Sequence, residues 1–144
     1  MAMLKRRSDR IDALRAIPLF STLSKKDLNE VAKRADEVAV ATGTVLAKEG
    51  ERGNQCFVIL RGKVGVSRSG RRITSGRWGA VFGEMSLLDG MSRSATLVAE
   101  EDTTLLVIHR RDFQYLVDNL PGFSRKLLMN LSGHLRRMDK ALDV

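Results

Sequence analysis

The sequence predicts an α+β fold, a double-stranded β-helix or jelly-roll-like barrel carrying helices at both ends. Helical spacing of apolar residues is confined to the two ends of the chain. Between residues 37 and 109 it gives way to short strand-like runs with glycines at the corners, Gly43, Gly50, Gly53, Gly62, Gly70, Gly76, Gly79 and Gly90 among them. Strands recurring about every 8 to 12 residues point to a sandwich or barrel rather than a parallel α/β sheet. At 144 residues the chain is long enough for one independent core, and a single domain over 1–144 is expected.

In chain order, a short helix is expected over 9–16, with Ile11 and Leu14 on one side, ending before Pro18. Ser24-Lys25-Lys26-Asp27 resembles a capping box with Asp in the Glu place. Leu28, Val31, Ala32 and Ala35 follow at i, i+3, i+4 and i+7, so the helix keeps one buried face and the N-terminal helices fill 9–36. Strands are expected at 38–41, 44–47, 56–60, 64–67, 72–74, 97–99 and 104–108. From Arg111 helical spacing returns: Phe113, Leu116, Val117 and Leu120 mark a short helix, and Pro121 can open the next. The last helix, about 122–143, places Leu128, Leu131, Leu135, Met138 and Leu142 at alternating steps of three and four. That is a heptad seam over two repeats, compatible with packing on the chain's own barrel or with a homodimer through this helix.

The bulk properties exclude more than they select. No apolar run approaches the roughly 18 residues of a membrane helix, and the basic N-terminus lacks the apolar segment of a signal peptide. A cytoplasmic location is expected. One cysteine rules out an internal disulfide, and the neighbours of Cys56 suit a buried strand thiol. The net charge of +8 is compatible with nucleic acid, an anionic surface or a phosphorylated ligand, and does not choose. The basic residues in the strand region and in the last helix are interleaved with apolar positions and read as solvated faces.

Chemistry concentrates in 81–99, Val-Phe-Gly-Glu-Met-Ser-Leu-Leu-Asp-Gly-Met-Ser-Arg-Ser-Ala-Thr-Leu-Val-Ala. A glycine and a carboxylate open a helical turn, then a loop delivers an arginine, a hydroxyl and a small residue to a strand. That order suits a small anionic ligand: a planar guanidinium clamps a phosphate, and a carboxylate accepts from sugar hydroxyls. Taken alone, Glu84 and Arg93 could equally be an ion pair holding the loop.

With the glycine-cornered roll around it and Ile17-Pro18-Leu19-Phe20 upstream, this stretch resembles the cyclic nucleotide-binding domain family. Phe82-Gly83-Glu84-Met85-Ser86-Leu87-Leu88 and Arg93-Ser94-Ala95-Thr96 fit the family's phosphate-binding cassette, and the resemblance runs from about residue 17 to 142. It implies that Arg93 pairs with the cyclic phosphate, Ser94 donates its hydroxyl to it, and Glu84 accepts from the ribose 2′-OH. Gly83 and Ala95 would offer backbone N–H groups at close approach, which needs small side chains. Phe82 and Met85 complete the ligand-binding set, with Met85, Leu87 and Leu88 expected to pin the short helix to the roll. Ser86 is expected to meet solvent or backbone.

At the base end the sequence departs from the family. Where catabolite activator protein carries two hydroxyl residues on the long helix, this chain has Met138 and Asp139, the candidate base contacts. Met138 can lie over a purine but cannot supply a hydroxyl's hydrogen bonds. The resemblance favours cAMP, with cGMP as the alternative, and implies a sensor that moves its C-terminal helices, coupled to a protein effector or to a larger parent chain.

Two other functional classes share features with this sequence. A fragment of a DNA-associated transcription regulator would use the same fold without nucleotide, but no helix-turn-helix follows the long helix before Val144, so specific DNA binding is not expected. Cupin-like metalloenzymes need clustered histidines. This chain has only His109 and His134, neither with a partner at metal spacing, so no metal, cofactor or catalysis is expected.

Overall fold

A computed structural model describes residues 7–138. The elements are α1 (Arg7–Ala16), α2 (Lys25–Arg34), β1 (Ala35–Val40), β2 (Val45–Ala47), β3 (Gln55–Arg61), β4 (Val64–Arg68), β5 (Arg71–Gly76), β6 (Val81–Phe82), α3 (Glu84–Asp89), β7 (Thr96–Ala99), β8 (Thr103–His109), α4 (Arg110–Asn119) and α5 (Pro121–Met138). The chain divides into two compact units, Arg34–Gln114 and the pair of segments that precede and follow it.

The central unit is the expected roll: two four-stranded antiparallel sheets, ordered β1-β8-β3-β6 and β2-β7-β4-β5. The strands mostly alternate between the sheets, so neither can form without the other. Phe57, Ile59, Leu105 and Val107 of the first sheet meet Ala47, Val64, Val66 and Leu97 of the second in one apolar core. On β3 and β8 the opposite faces are buried as well, through Cys56, Val58, Leu106 and Ile108. Burial on both sides is why these strands read as continuous apolar runs rather than alternating ones.

Arg72 of β5 and Arg77 just beyond it are tied to the glutamates that follow β7. Arg72 forks onto both carboxylate oxygens of Glu100 at 2.7 and 2.9 Å, and Arg77 onto those of Glu101 at 2.7 and 3.3 Å. Much of the mid-chain positive charge is thus a solvated, paired face, as the sequence suggested. Trp78, the only tryptophan, stands exposed just beyond β5.

In the helical unit, the Ser24 hydroxyl caps α2 by accepting from the Asp27 N–H at 3.1 Å. Pro18–Phe20 form a 3-10 turn, and the rings of Phe20 and Phe123 stack at 6.2 Å between centroids. Gly122 permits the close approach: a Cβ there would lie 3.1 Å from a Leu23 methyl. The Ser124 hydroxyl donates to the Val117 carbonyl at 2.7 Å, fixing the turn from α4 to α5, and Pro121 opens α5 as its sequence position predicts.

Two differences from expectation stand out. The helix expected to include Ala35 stops at Arg34, because Ala35 is buried opposite Ile108 as the first residue of β1, and ladder pairing overrides helical spacing there. β6 was not foreseen: two residues are too few to show a period, and pairing with Phe57 and Val58 defines it. The last helix is followed here to Met138, and 139–143 lie outside the described residues.

The two-sheet core yields a graded prediction. Ile59→Ala, at a fully buried position between the sheets, is expected to cost ~2–5 kcal/mol, and Val38→Ala, half exposed on an edge strand, less than ~1 kcal/mol. Urea unfolding of both variants checks this, and equal costs would contradict the placement of the core.

Candidate functional site

β6 delivers the chain to Gly83, which takes φ +88° as the residue before α3. Two constraints demand glycine there. The positive φ disfavours a side chain, and a Cβ would stand 2.5 Å from the Arg93 Nη1 and 2.9 Å from the Gln55 carbonyl. Arg93 fills that space. Its Nη1 donates to the Gly83 carbonyl at 2.9 Å and its Nη2 to the Gln55 carbonyl at 2.6 Å, with the guanidinium over the Phe57 ring at 5.8 Å. It is only 7% exposed. An ion pair with Glu84 is not among the contacts of the described residues; main-chain oxygens hold the guanidinium instead.

Glu84 is 4% exposed, in the first turn of α3. Burial pushes its carboxyl above the usual carboxylate range, opposed by a backbone hydrogen bond and by the positive charge of Arg93. Burial also lowers the Arg93 pKa, an effect that the nearby Arg110 guanidinium adds to and Glu84 counters. The Cys56 thiol, buried beside both, is pushed far up by desolvation and is inert. A carboxyl and a guanidinium are thus buried close to one another while bonded to backbone rather than to each other. Chemically, a carboxyl is a hydrogen-bond acceptor for hydroxyls and a guanidinium a donor for anions.

The second half of the cassette is held by the stretch 49–53. The Gly50 N–H donates to the Arg93 carbonyl at 2.8 Å, the Arg93 N–H to the Glu51 carbonyl at 2.7 Å, and the Glu49 N–H to the Thr96 hydroxyl at 3.0 Å. Gly53 lets this stretch close on the site, since a Cβ there would meet the Arg93 guanidinium at 2.8 Å and the Ser86 Cβ at 2.7 Å. Beneath, Arg110 at the start of α4 donates from Nη2 to the carbonyls of Gly53 and, at 3.5 Å, of Ser86, while its buried Nε has no partner.

The structure therefore brings together Gly83, Glu84 and Arg93, with Ser94 exposed beside Arg93 and Ala95 against the core. Phe82 packs on that core too. Met85 is not a pin for α3: it is 53% exposed and Leu88 is 44% exposed, while Leu87 alone is buried. Six residues make under two turns, and such a helix can bury only one narrow face. Ser86 is buried, with its carbonyl taken by the Gly90 N–H and by Arg110. Met138 closes α5 and Asp139 lies outside the described residues, so neither is placed against the site.

Gln55, Gly53 and Arg110 were missed in the sequence. Gln55 acts through its carbonyl, which no side-chain pattern reports, whereas Gly53 was visible as a corner glycine without a reason attached. A cavity of about 240 Å³ opens elsewhere in the roll, lined by Val38, Val45, Leu105 and His109 among others, and touches the site's surroundings only through Gln55 and Phe57. Among the described residues no group of His, Cys, Asp and Glu could hold a metal, and no helix is long and apolar enough to cross a membrane.

Comparison with known proteins agrees with this geometry. Residues 37–119 match the family described as cyclic nucleotide-binding domain. The cyclic AMP receptor protein of Thermus thermophilus is 32% identical over 136 residues, covering 91% of this chain and 63% of that protein. A cyclic nucleotide-gated potassium channel of Rhizobium etli is 35% identical over 112 residues, 78% of this chain and 31% of the channel. The crystal structure of Thermus thermophilus catabolite activator protein aligns with a TM-score of 0.78 at 34% identity, over 88% of this chain and 62% of that one. The chain thus spans between about a third and two thirds of these relatives. With the fold, the cassette and these matches in agreement, the chain belongs to the cyclic nucleotide-binding domain family.

Proposed function

We propose that this chain is a cytoplasmic regulatory module that captures a cyclic nucleotide, cAMP in the first place and cGMP as the alternative, and answers by rearranging its C-terminal helices. The observation that carries the proposal is the buried Arg93 guanidinium, fixed by the carbonyls of Gly83 and Gln55 close to the buried Glu84 carboxyl. A cyclic nucleotide matches both ends: an anionic phosphate for Arg93, and a ribose hydroxyl for Glu84. Ser94 and the N–H groups of Gly83 and Ala95 are the further phosphate donors.

Binding would be transmitted because α4 begins on the cassette itself, through Arg110. A ligand that prefers one arrangement of Arg93 and α3 over another shifts the population of helix arrangements by that difference in affinity. The output partner is a protein effector or the rest of a longer parent chain. A homodimer through α5 is supported by the exposure of Leu128 and Leu135, one heptad apart on that helix.

Titration calorimetry with cAMP and cGMP tests the reading. The parent chain is expected to bind, and Arg93→Ala to lose at least about 100-fold in affinity, as for removal of a buried charged partner. Absence of heat at high-micromolar nucleotide would remove the proposal.

Glu84 yields a pH prediction. With its carboxyl pKa raised in the folded state, the native chain holds that proton at pH values where the unfolded chain has lost it. Stability from this group is present at the acid side of the window above the ordinary carboxylate value and falls as pH rises through the folded pKa. Glu84→Gln is therefore expected to raise the ligand-free melting temperature at neutral pH, to flatten that pH dependence, and to weaken nucleotide binding about 10-fold or more. Melting curves across the window, with calorimetry at neutral pH, read all three.

A further inference from the structure

We propose that Arg68 is a second arginine of the ligand site, donating to the phosphate oxygen that Arg93 leaves free. This rests on the cyclic-nucleotide reading and extends it to a residue outside the cassette.

Arg68 is the last residue of β4. Val64 and Val66 of that strand both belong to the core between the sheets, and alternation places Arg68 on the same side, at the rim. Ser67 pairs with Thr96 of β7, so the end of β4 runs beside the cassette's Ser94-Ala95-Thr96. The side chain reaches across: Arg68 Nε donates to the Ser94 carbonyl at 3.0 Å.

One of five guanidinium N–H donors is used in that bond. Among the described residues no carboxylate forms an ion pair with Arg68, in contrast to Arg72 and Arg77, which fork onto Glu100 and Glu101. The nearby Glu49 carboxylate is engaged by the Ser69 N–H at 2.8 Å. Arg68 is thus anchored by Nε at a fixed place, with its terminal nitrogens open. Ser94 follows the buried Arg93 in the chain and is itself exposed, with its carbonyl held by Arg68.

A cyclic phosphodiester has two non-bridging oxygens sharing one negative charge. Arg93 can serve the inner oxygen, and the outer one needs a donor from the solvent side. A planar fork held by its Nε is suited to that task, and phosphate is common to every cyclic nucleotide, so the contact carries no base preference.

The test is calorimetry on the parent chain, R68Q and R68K, with cAMP and with cGMP, at low and at about tenfold higher salt. R68Q is expected to lose about 5- to 20-fold for both nucleotides at low salt, the effect of one exposed charge-assisted bond. Its affinity should fall less with salt than the parent's, while R68K keeps the parent's salt dependence. Melting temperatures of the ligand-free variants should match the parent's. If the parent binds and R68Q stays within about twofold of it, or loses affinity for only one of the two bases, Arg68 is not a phosphate contact. If the parent binds neither nucleotide, the cyclic-nucleotide reading fails instead.

Discussion

A buried positive charge bonded to main-chain oxygens is what the central unit is arranged around. Taking a guanidinium out of water is costly unless its donors are satisfied. Arg93 meets that requirement with the carbonyls of Gly83 and Gln55, backbone atoms whose positions depend on β6 and β3. The requirement propagates. Gly53 and Gly83 must lack side chains to make room for it, the stretch 49–53 must close on the cassette, and Phe57 must present its ring beneath. The candidate site is in this sense a by-product of how the roll satisfies one arginine.

The same arrangement leaves the surroundings of Arg93 electrostatically unfinished. Glu84 is held toward its protonated form by burial, and two further guanidiniums, Arg110 near Arg93 and Arg68 on the Ser94 carbonyl, have no carboxylate of their own among the described residues. Sites of this kind store binding energy at the expense of fold stability, since groups positioned for a partner are poorly solvated without it. Under the proposed function the bound phosphate would supply the missing negative charge.

Most of the fold was legible because its signals are local. Change of apolar spacing near residue 36 and again near 110, glycines at strand corners, the Ser24 cap and Pro121 each act within a few residues. What escaped was non-local: Ala35 belongs to a strand because of Ile108, and β6 exists because of β3. The site divides in the same way. Glu84 and Arg93 were visible as side-chain chemistry at fixed spacing, but the partners of Arg93 are carbonyls, and any residue can supply a carbonyl. Arg68 read as part of a solvated charged face until strand pairing brought it beside the cassette, and nothing in the sequence singled out Arg110, which the start of α4 brings there. The outward turn of Met85 and Leu88 follows from the shortness of α3, whose length the sequence pattern did not delimit.

Trp78 and Tyr115 are the only tryptophan and the only tyrosine. One lies in the roll beyond β5, and the other opens the segment of the helical unit that follows the roll. Indole absorbs to longer wavelengths than phenol, so excitation at the red edge of the absorption band reaches Trp78 alone. The roll can therefore be followed by its own intrinsic chromophore, without any label.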